Sequence, residues 1–159
     1  MNISELITKV IPISDYEHRN GFSNTPIIDS LDAETKRELE QELIKLLDKD
    51  IDPLVAETLA YMKSNAAVPA LMDTISRINE PAAKLIFANS VYKIDGNQEA
   101  MEIGINAFKS VSDKYGKMSL FCYLATFKSP DVDEILDQYS ASKDILLSAN
   151  AKKAKANPK

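Results

Sequence analysis

Three similar tripeptides decide the fold of this chain: Leu59-Ala60-Tyr61, Ser90-Val91-Tyr92 and Phe121-Cys122-Tyr123. Their tyrosines stand 31 residues apart, so the same kind of segment ends at Tyr61, at Tyr92 and at Tyr123. A repeat of this length is typical of stacked helical pairs, because one pair cannot bury its apolar face without a neighbour. The spacing therefore predicts an all-α protein built from repeated helical pairs.

A second column of apolar residues supports the repeat. Leu71, Ile103 and Ile135 are 32 residues apart, and each lies in the helix predicted to follow one of the tyrosines. Each new pair also begins with a proline or a capping residue, at Asp52-Pro53, at Asn79-Glu80-Pro81 and near Ser112-Asp113. Such residues suit a first helical turn, whose amide groups have no partner inside the helix. We predict about three pairs over residues 52–139, followed by a truncated half-repeat.

The segments around this array complete the predicted organisation. Residues 1–28 are expected to form an irregular leader that packs on the repeats. It could contain one short amphipathic helix, with Leu6, Ile7, Val10 and Ile11, before Pro12 interrupts it. A single domain is expected over residues 29–156, and it begins with an amphipathic capping helix from about Ser30 to Asp48. Gly104 is predicted to lie inside a helix, where it costs about 1 kcal/mol relative to alanine. We expect the close approach of a neighbouring helix to compensate for this cost.

Residues 59–71 resemble the centre of a HEAT-like repeat. In that family an alanine-rich first helix ends, a short polar turn follows, and Ala-Val-Pro-x-Leu opens the second helix, as in residues 67–71 here. The second copy keeps the lengths but has Gln98-Glu99-Ala100 in place of Ala-Val-Pro. The resemblance implies a short right-handed α-α superhelix whose second helices line a concave, protein-binding face. Some short HEAT-like proteins resemble bilin lyases, so a lyase or chromophore-lyase accessory protein is the alternative function.

Composition and charge narrow the classes of partner. The chain has 159 residues, of which 45% are hydrophobic and 27% charged, as in a soluble globular protein. A formal net charge of −5 disfavours nucleic acid and anionic membranes, because phosphate binding needs a basic face. The single cysteine and the lack of a secretory signal predict a cytoplasmic protein. The one basic cluster is interpreted as a solvated, fraying end: Lys152, Lys153, Lys155 and Lys159.

Acidic positions on the second helices are the candidate partner-binding residues. They lie outside the predicted apolar faces, and several of them align at the 32-residue step. The predicted set is Asp73, Glu99, Glu102, Asn106, Glu134 and Asp137. On a concave face these residues would steer a basic partner protein and raise its association rate. We predict non-catalytic protein binding, with an inhibitor or immunity-type protein as one version, while a merely solvated helix face is the alternative interpretation.

No cluster of residues in the sequence matches a recognisable catalytic or cofactor motif. His18 is the only histidine and Cys122 the only cysteine, so the common zinc sites cannot be assembled. The repeat equivalents of Cys122 are Ala60 and Val91, which indicates a packing position. Neither GxGxxG nor GxxxxGK occurs. We expect no catalytic residue, no metal and no cofactor, and we expect the tyrosines to hold the repeats together.

Overall fold

The computed structural model describes residues 2–159 and confirms the all-α prediction. Within that range the chain forms eleven α-helices and no β-strand, and a 3-10 turn at Asn65–Ala67 precedes α6. The helices are α1 (Ile3–Val10), α2 (Tyr16–Arg19), α3 (Thr25–Asp29), α4 (Ala33–Leu46), α5 (Pro53–Tyr61), α6 (Val68–Arg77), α7 (Pro81–Asp95), α8 (Gln98–Ser110), α9 (Lys114–Leu124), α10 (Pro130–Ser140) and α11 (Ile145–Ala156). None of the helices described is both long enough and apolar enough to cross a membrane.

The first helices of the predicted pairs, α5, α7 and α9, pack beside one another. Helix α7 lies in the middle of this row and also packs along its own partner, α8. Gly96 makes the turn between α7 and α8 with a φ of +74°, a left-handed conformation that glycine adopts without steric cost. Helices α6 and α8 each contact the first helix of the following pair, so consecutive pairs rest on one another.

Capping residues set where the first helices begin. The side chain of Asp52 accepts from the amide of Leu54 at 3.0 Å, and Asp113 accepts from Gly116 at 2.6 Å. Glu80 likewise caps α7, and a proline occupies the first turn of both α5 and α7. These carboxylates satisfy amide groups that have no partner inside the helix. The starts of the helical pairs therefore follow from the local sequence.

Two clusters of buried apolar side chains form the core. The first joins α1 and α4 to α5, α6 and α7, with Leu59 and Leu71 inaccessible to solvent. The second joins α8 to α9, α10 and α11 around Phe121 and Leu136. Helix α7 contributes to both clusters, and it therefore connects the two halves of the array.

Residues 2–28 are more regular than the irregular leader expected from the sequence. Three short helices occupy this segment, and α1 packs on α4 with Leu6 and Val10 buried. The buried side chain of Asn24 donates to the carbonyl of Val10 at 3.1 Å and to Oγ1 of Thr58 at 2.7 Å. Polar side chains thus help to hold the segment on α5, which apolar periodicity alone does not reveal.

Gly104 lies in α8, and its close neighbour is an aromatic ring. A Cβ atom at this position would lie 2.6 Å from Cζ of Phe127. Phe127 follows α9, is buried, and meets the ring of Tyr92 edge to face with 5.1 Å between the ring centroids. The glycine therefore has the packing reason that the sequence predicts, although a side chain rather than a helix backbone makes the contact.

Candidate functional site

A shallow groove between α8 and α10 brings together three residues of the predicted set, Glu102, Asn106 and Glu134. Its two adjoining parts have volumes of about 230 and 300 Å³, and Lys109 and Asp131 line both of them. These shared residues make the two parts one continuous surface. We call it the α8–α10 groove, lined by Glu102, Ile105, Asn106, Lys109, Asp131, Glu134, Ile135 and Gln138.

Helical spacing places the polar lining residues on one side of each helix. On α8 they recur at intervals of four and three residues, and on α10 at intervals of three and four. Residues at this spacing share a helix face. The other side of each helix is buried, with Phe108 of α8 and Leu136 of α10 in the second core cluster. The groove is therefore fixed by two helices that the core holds in place.

The carboxylates of the groove have no internal counter-ion. Across residues 2–159, Glu102, Asp131 and Glu134 take part in none of the ion pairs, although all three are exposed. Glu134 accepts a hydrogen bond from Nε2 of Gln138 at 3.3 Å. Lys109 is also outside every ion pair in this part of the chain. Three carboxylates and one lysine leave the groove with a net negative charge.

The other three predicted residues lie outside the groove. Asp73 pairs with Arg77 one turn further along α6, with 3.4 Å between Oδ2 and Nε. Asp137 pairs with Lys155 of α11. Glu99 lies in the first turn of α8, where its charge interacts favourably with the helix dipole. The structure therefore accounts for Asp73 and Asp137 by ion pairs, whereas Glu99, like Asp131 of the groove, lies in the first turn of its helix.

Sequence reasoning missed three lining residues, Lys109, Asp131 and Gln138. The 32-residue step reaches Asp131 from Glu99 and Gln138 from Asn106, but neither residue was included in the predicted set, and the spacing within each helix was not used. Steps of three, four or seven residues from Glu102 and Glu134 reach all three missed positions. Helical periodicity was therefore a pattern in the sequence that could have identified these lining residues.

A larger cleft, of about 520 Å³, lies between α3, α4 and the end of α5. Its charged lining is mixed, because Lys36 and Arg37 are accompanied by Asp29 and Glu40. Asp29 is already engaged as the acceptor of a 2.8 Å hydrogen bond from the hydroxyl of Tyr61. The cleft therefore has charges of both signs, so a charged ligand would find no predominantly positive or negative surface there. Its larger volume alone does not make it a better candidate binding site than the groove.

The tyrosine column connects neighbouring helices through its hydroxyl groups. The three hydrogen bonds join Tyr61 to Asp29, Tyr92 to the amide of Lys128, and Tyr123 to Glu57. Their donor–acceptor distances are 2.8, 3.1 and 2.8 Å. Each bond spans more than thirty residues of sequence, so the tyrosines contribute to tertiary structure as expected.

His18 and Cys122 both have structural surroundings. Nδ1 of His18 lies 2.8 Å from Oδ1 of Asp15 on an exposed surface, and Asp15 also caps α2. Cys122 is half-buried and packs against the second core cluster. Among the residues that the structure describes, no group of three or more His, Cys, Asp and Glu side chains is placed to hold a metal ion.

The lysines of the basic cluster at residues 152–159 are exposed, as the sequence suggested, but the segment does not fray. Most of it belongs to α11, which buries Ala151 and Ala154. Lys155 pairs with Asp137, and Nζ of Lys159 lies 2.9 Å from Oε1 of Glu57. The expectation of fraying was wrong because Ala151 and Ala154 pack the helix onto the core. This packing brings Lys155 and Lys159 close to acids on neighbouring helices.

Comparison of the chain with protein-family models, with curated proteins and with solved structures gives no match. A function can therefore be inferred only from the chemistry of the molecule itself. The unpaired carboxylates of the α8–α10 groove are the feature on which that inference rests.

Proposed function

We propose that this chain is a non-catalytic protein-binding module whose α8–α10 groove receives a basic segment of another protein. The observation that supports this most strongly is the contrast between two groups of acids. Asp73 and Asp137 are paired inside the molecule, whereas three carboxylates of the groove are not. Those three are Glu102, Asp131 and Glu134, and they are available to an external cation.

The composition of the groove suggests how a partner would be recognised. Each exposed ion pair contributes only about 0.2–1 kcal/mol, so charge would mainly accelerate association and orient the partner. Ile135, which is only partly buried, adds apolar contact area, which contributes about 25 cal/mol for each Å² that is buried. Lys109 repels a uniformly basic ligand and favours a partner that presents an acid opposite it.

The proposed function agrees with a HEAT-like arrangement of the helices, which we propose with it. The 31-residue spacing and the side-by-side packing of α5, α7 and α9 support this arrangement. In a HEAT-like stack the groove between α8 and α10 would belong to the layer of second helices, which is the usual partner-binding layer. An inhibitor or immunity-type protein that neutralises a basic enzyme is one form of this function.

Affinity capture with matched baits tests the proposal. The groove variant is Glu102→Lys with Glu134→Lys, and the control is Glu38→Lys with Asp48→Lys, two exposed and unpaired acids of α4 and the turn after it. Both variants change the net charge equally. We expect a basic protein to be retained by the wild type and the control, to be released by salt, and to be lost from the groove variant. Equal retention by all three baits would refute the proposal.

A further inference from the structure

A second surface, which shares no residue with the α8–α10 groove, already holds a lysine side chain. Nζ of Lys159 lies 2.9 Å from Oε1 of Glu57 and donates a hydrogen bond to the hydroxyl of Tyr123. The same nitrogen is 4.2 Å from the centroid of the Tyr123 ring. Tyr123 in turn donates to Glu57 at 2.8 Å, which holds the carboxylate and the ring together. A carboxylate, a hydroxyl and an aromatic face therefore surround one ammonium group.

The main chain of the same lysine is held as well. The amide of Lys159 donates to the carbonyl of Cys122 at 3.0 Å, and Oγ1 of Thr126 donates to the main-chain oxygen of Lys159 at 2.9 Å. These bonds lie on both sides of the Cα atom, so the notch contacts the main chain of the lysine as well as its side chain. A free amine would lack both of them. We call the surface formed by Glu57, Cys122, Tyr123 and Thr126 the lysine notch.

The charges in the lysine notch suit a lysine side chain at neutral pH. Burial alone lowers the pKa of Lys159, but the hydrogen bonds with Tyr123 and Glu57 outweigh burial and raise it. Burial, assisted by the charge of Glu57, raises the pKa of Tyr123 to about 12. Burial lowers the pKa of the nearby Lys93, and the positive charge of Lys159 lowers it further. The lysine notch therefore combines a charged ammonium, a charged carboxylate and a neutral phenol.

The ion pair in the lysine notch is open to solvent. The side chains of Glu57 and Lys159 are 29% and 47% exposed, so water reaches both partners of the ion pair. Helix α11 ends at Ala156, and only Asn157 and Pro158 connect it to Lys159. Lys159 therefore lies outside the helix, and no helical hydrogen bond within residues 2–159 fixes it.

We infer that the lysine notch is a recognition site for a lysine residue of another polypeptide, and that residues 157–159 occupy it as an internal ligand. A partner must displace Lys159, because both lysines require the same carboxylate and the same ring. A short tether gives the internal lysine a high effective concentration, on the order of millimolar, so it competes strongly with external peptides. This inference concerns a different surface from the groove and does not depend on the proposed function.

Removing the internal ligand tests the inference. The probe is Nα-acetyl-lysine N-methylamide, and the ring signals of ¹³C-labelled Tyr123 report binding to the full chain. We expect Lys159→Ala to bind the probe at least about ten-fold more tightly than the wild type, because the competitor is gone. Adding Glu57→Gln to Lys159→Ala should weaken binding at least about ten-fold, since the ammonium loses its counter-charge. Lys159→Gln provides a second variant without the competitor, in case Lys159→Ala does not fold.

Two further ligands serve as controls on the probe. Nα-acetyl-norleucine N-methylamide has the main chain without the charge, and butylamine has the charge without the main chain. Both should bind at least about ten-fold more weakly than the lysine probe. The inference is overturned if folded variants lacking Lys159 bind the probe no better than the wild type. It is also overturned if Glu57→Gln leaves binding unchanged or if butylamine binds as tightly as the lysine probe.

Discussion

At Gly104, the ring of Phe127 leaves no room for a side chain. Alanine there would gain about 1 kcal/mol of helix propensity, but its Cβ would lie 2.6 Å from the ring. Phe127 is buried against Tyr92 and cannot move freely. Because overpacking costs about 1–3 kcal/mol, we expect Gly104→Ala to lower the free energy of unfolding, measured by urea denaturation, by about 1 kcal/mol.

Shortening the side chain of Phe127 should relieve the same close contact. In a Phe127→Leu background the shorter side chain frees space near Gly104, so adding Gly104→Ala should cost less there than in the wild type. A double-mutant cycle measures this difference. A gain of the full helix propensity by Gly104→Ala in the wild type would show that the close contact is not present in solution.

Tyr123 makes the free energy of unfolding depend on pH in the alkaline range. Burial and the charge of Glu57 raise its pKa from 10.0 to about 12 in the folded chain. The folded state therefore keeps the phenolic proton longer than the unfolded state. Its contribution is fully present below about pH 10 and is lost as the pH rises through about 12. We expect the free energy of unfolding to fall more steeply between about pH 10 and 12 for the wild type than for Tyr123→Phe.

The pKa of Tyr61 is raised as well, by its hydrogen bond to Asp29, so some alkaline loss should persist in Tyr123→Phe. The comparison between the two proteins isolates the part that belongs to Tyr123. Identical pH profiles for wild type and Tyr123→Phe would mean that Tyr123 is not in the surroundings described here.

Among the helices, a bidentate ion pair connects α2 to the start of α5. Nη1 of Arg19 lies 2.8 Å from Oδ1 of Asp52, and Nη2 lies 2.5 Å from Oδ2. The side chains are only 21% and 10% exposed. Arg19→Met would leave Asp52 buried without a counter-ion, so we expect a loss of about 3 kcal/mol in the free energy of unfolding.

An exposed ion pair provides the control for Arg19. Lys45→Met breaks the pair between Lys45 and Glu42 on the surface of α4, where the lysine side chain is 67% exposed. Pairs of this kind contribute less than about 1 kcal/mol, so this variant should remain close to the wild type. Equal losses for Arg19→Met and Lys45→Met would show that the first pair is not buried.

The helices themselves were largely predictable, because capping residues and prolines act within one turn of the chain. Asp52 and Glu80 identified the starts of α5 and α7 in this way. The contacts of the first 28 residues were not predictable. Asn24 reaches Thr58, and Arg19 reaches Asp52, over 34 and 33 residues. No local pattern encodes such contacts between distant polar residues.

For the molecule as a whole, the sequence located the candidate site only in part. Glu102, Asn106 and Glu134 were predicted because they face away from the apolar sides of α8 and α10. The pairing of Asp73 with Arg77 could have been read from their spacing of four residues. The pairing of Asp137 with Lys155 could not, since it depends on how α11 docks beside α10.

The central claim is that the α8–α10 groove attracts a basic polypeptide because of its own unpaired carboxylates. The most direct test is the affinity of a fluorescent, lysine-rich peptide that carries one glutamate to meet Lys109, measured by anisotropy at low and moderate salt. We use the wild type, Glu102→Lys with Glu134→Lys, and the control Glu38→Lys with Asp48→Lys. At low salt we predict that the groove variant weakens binding at least about ten-fold and the control less than about three-fold, and that salt reduces the difference. An equal loss in both variants would contradict the claim, because the peptide would then respond only to net charge.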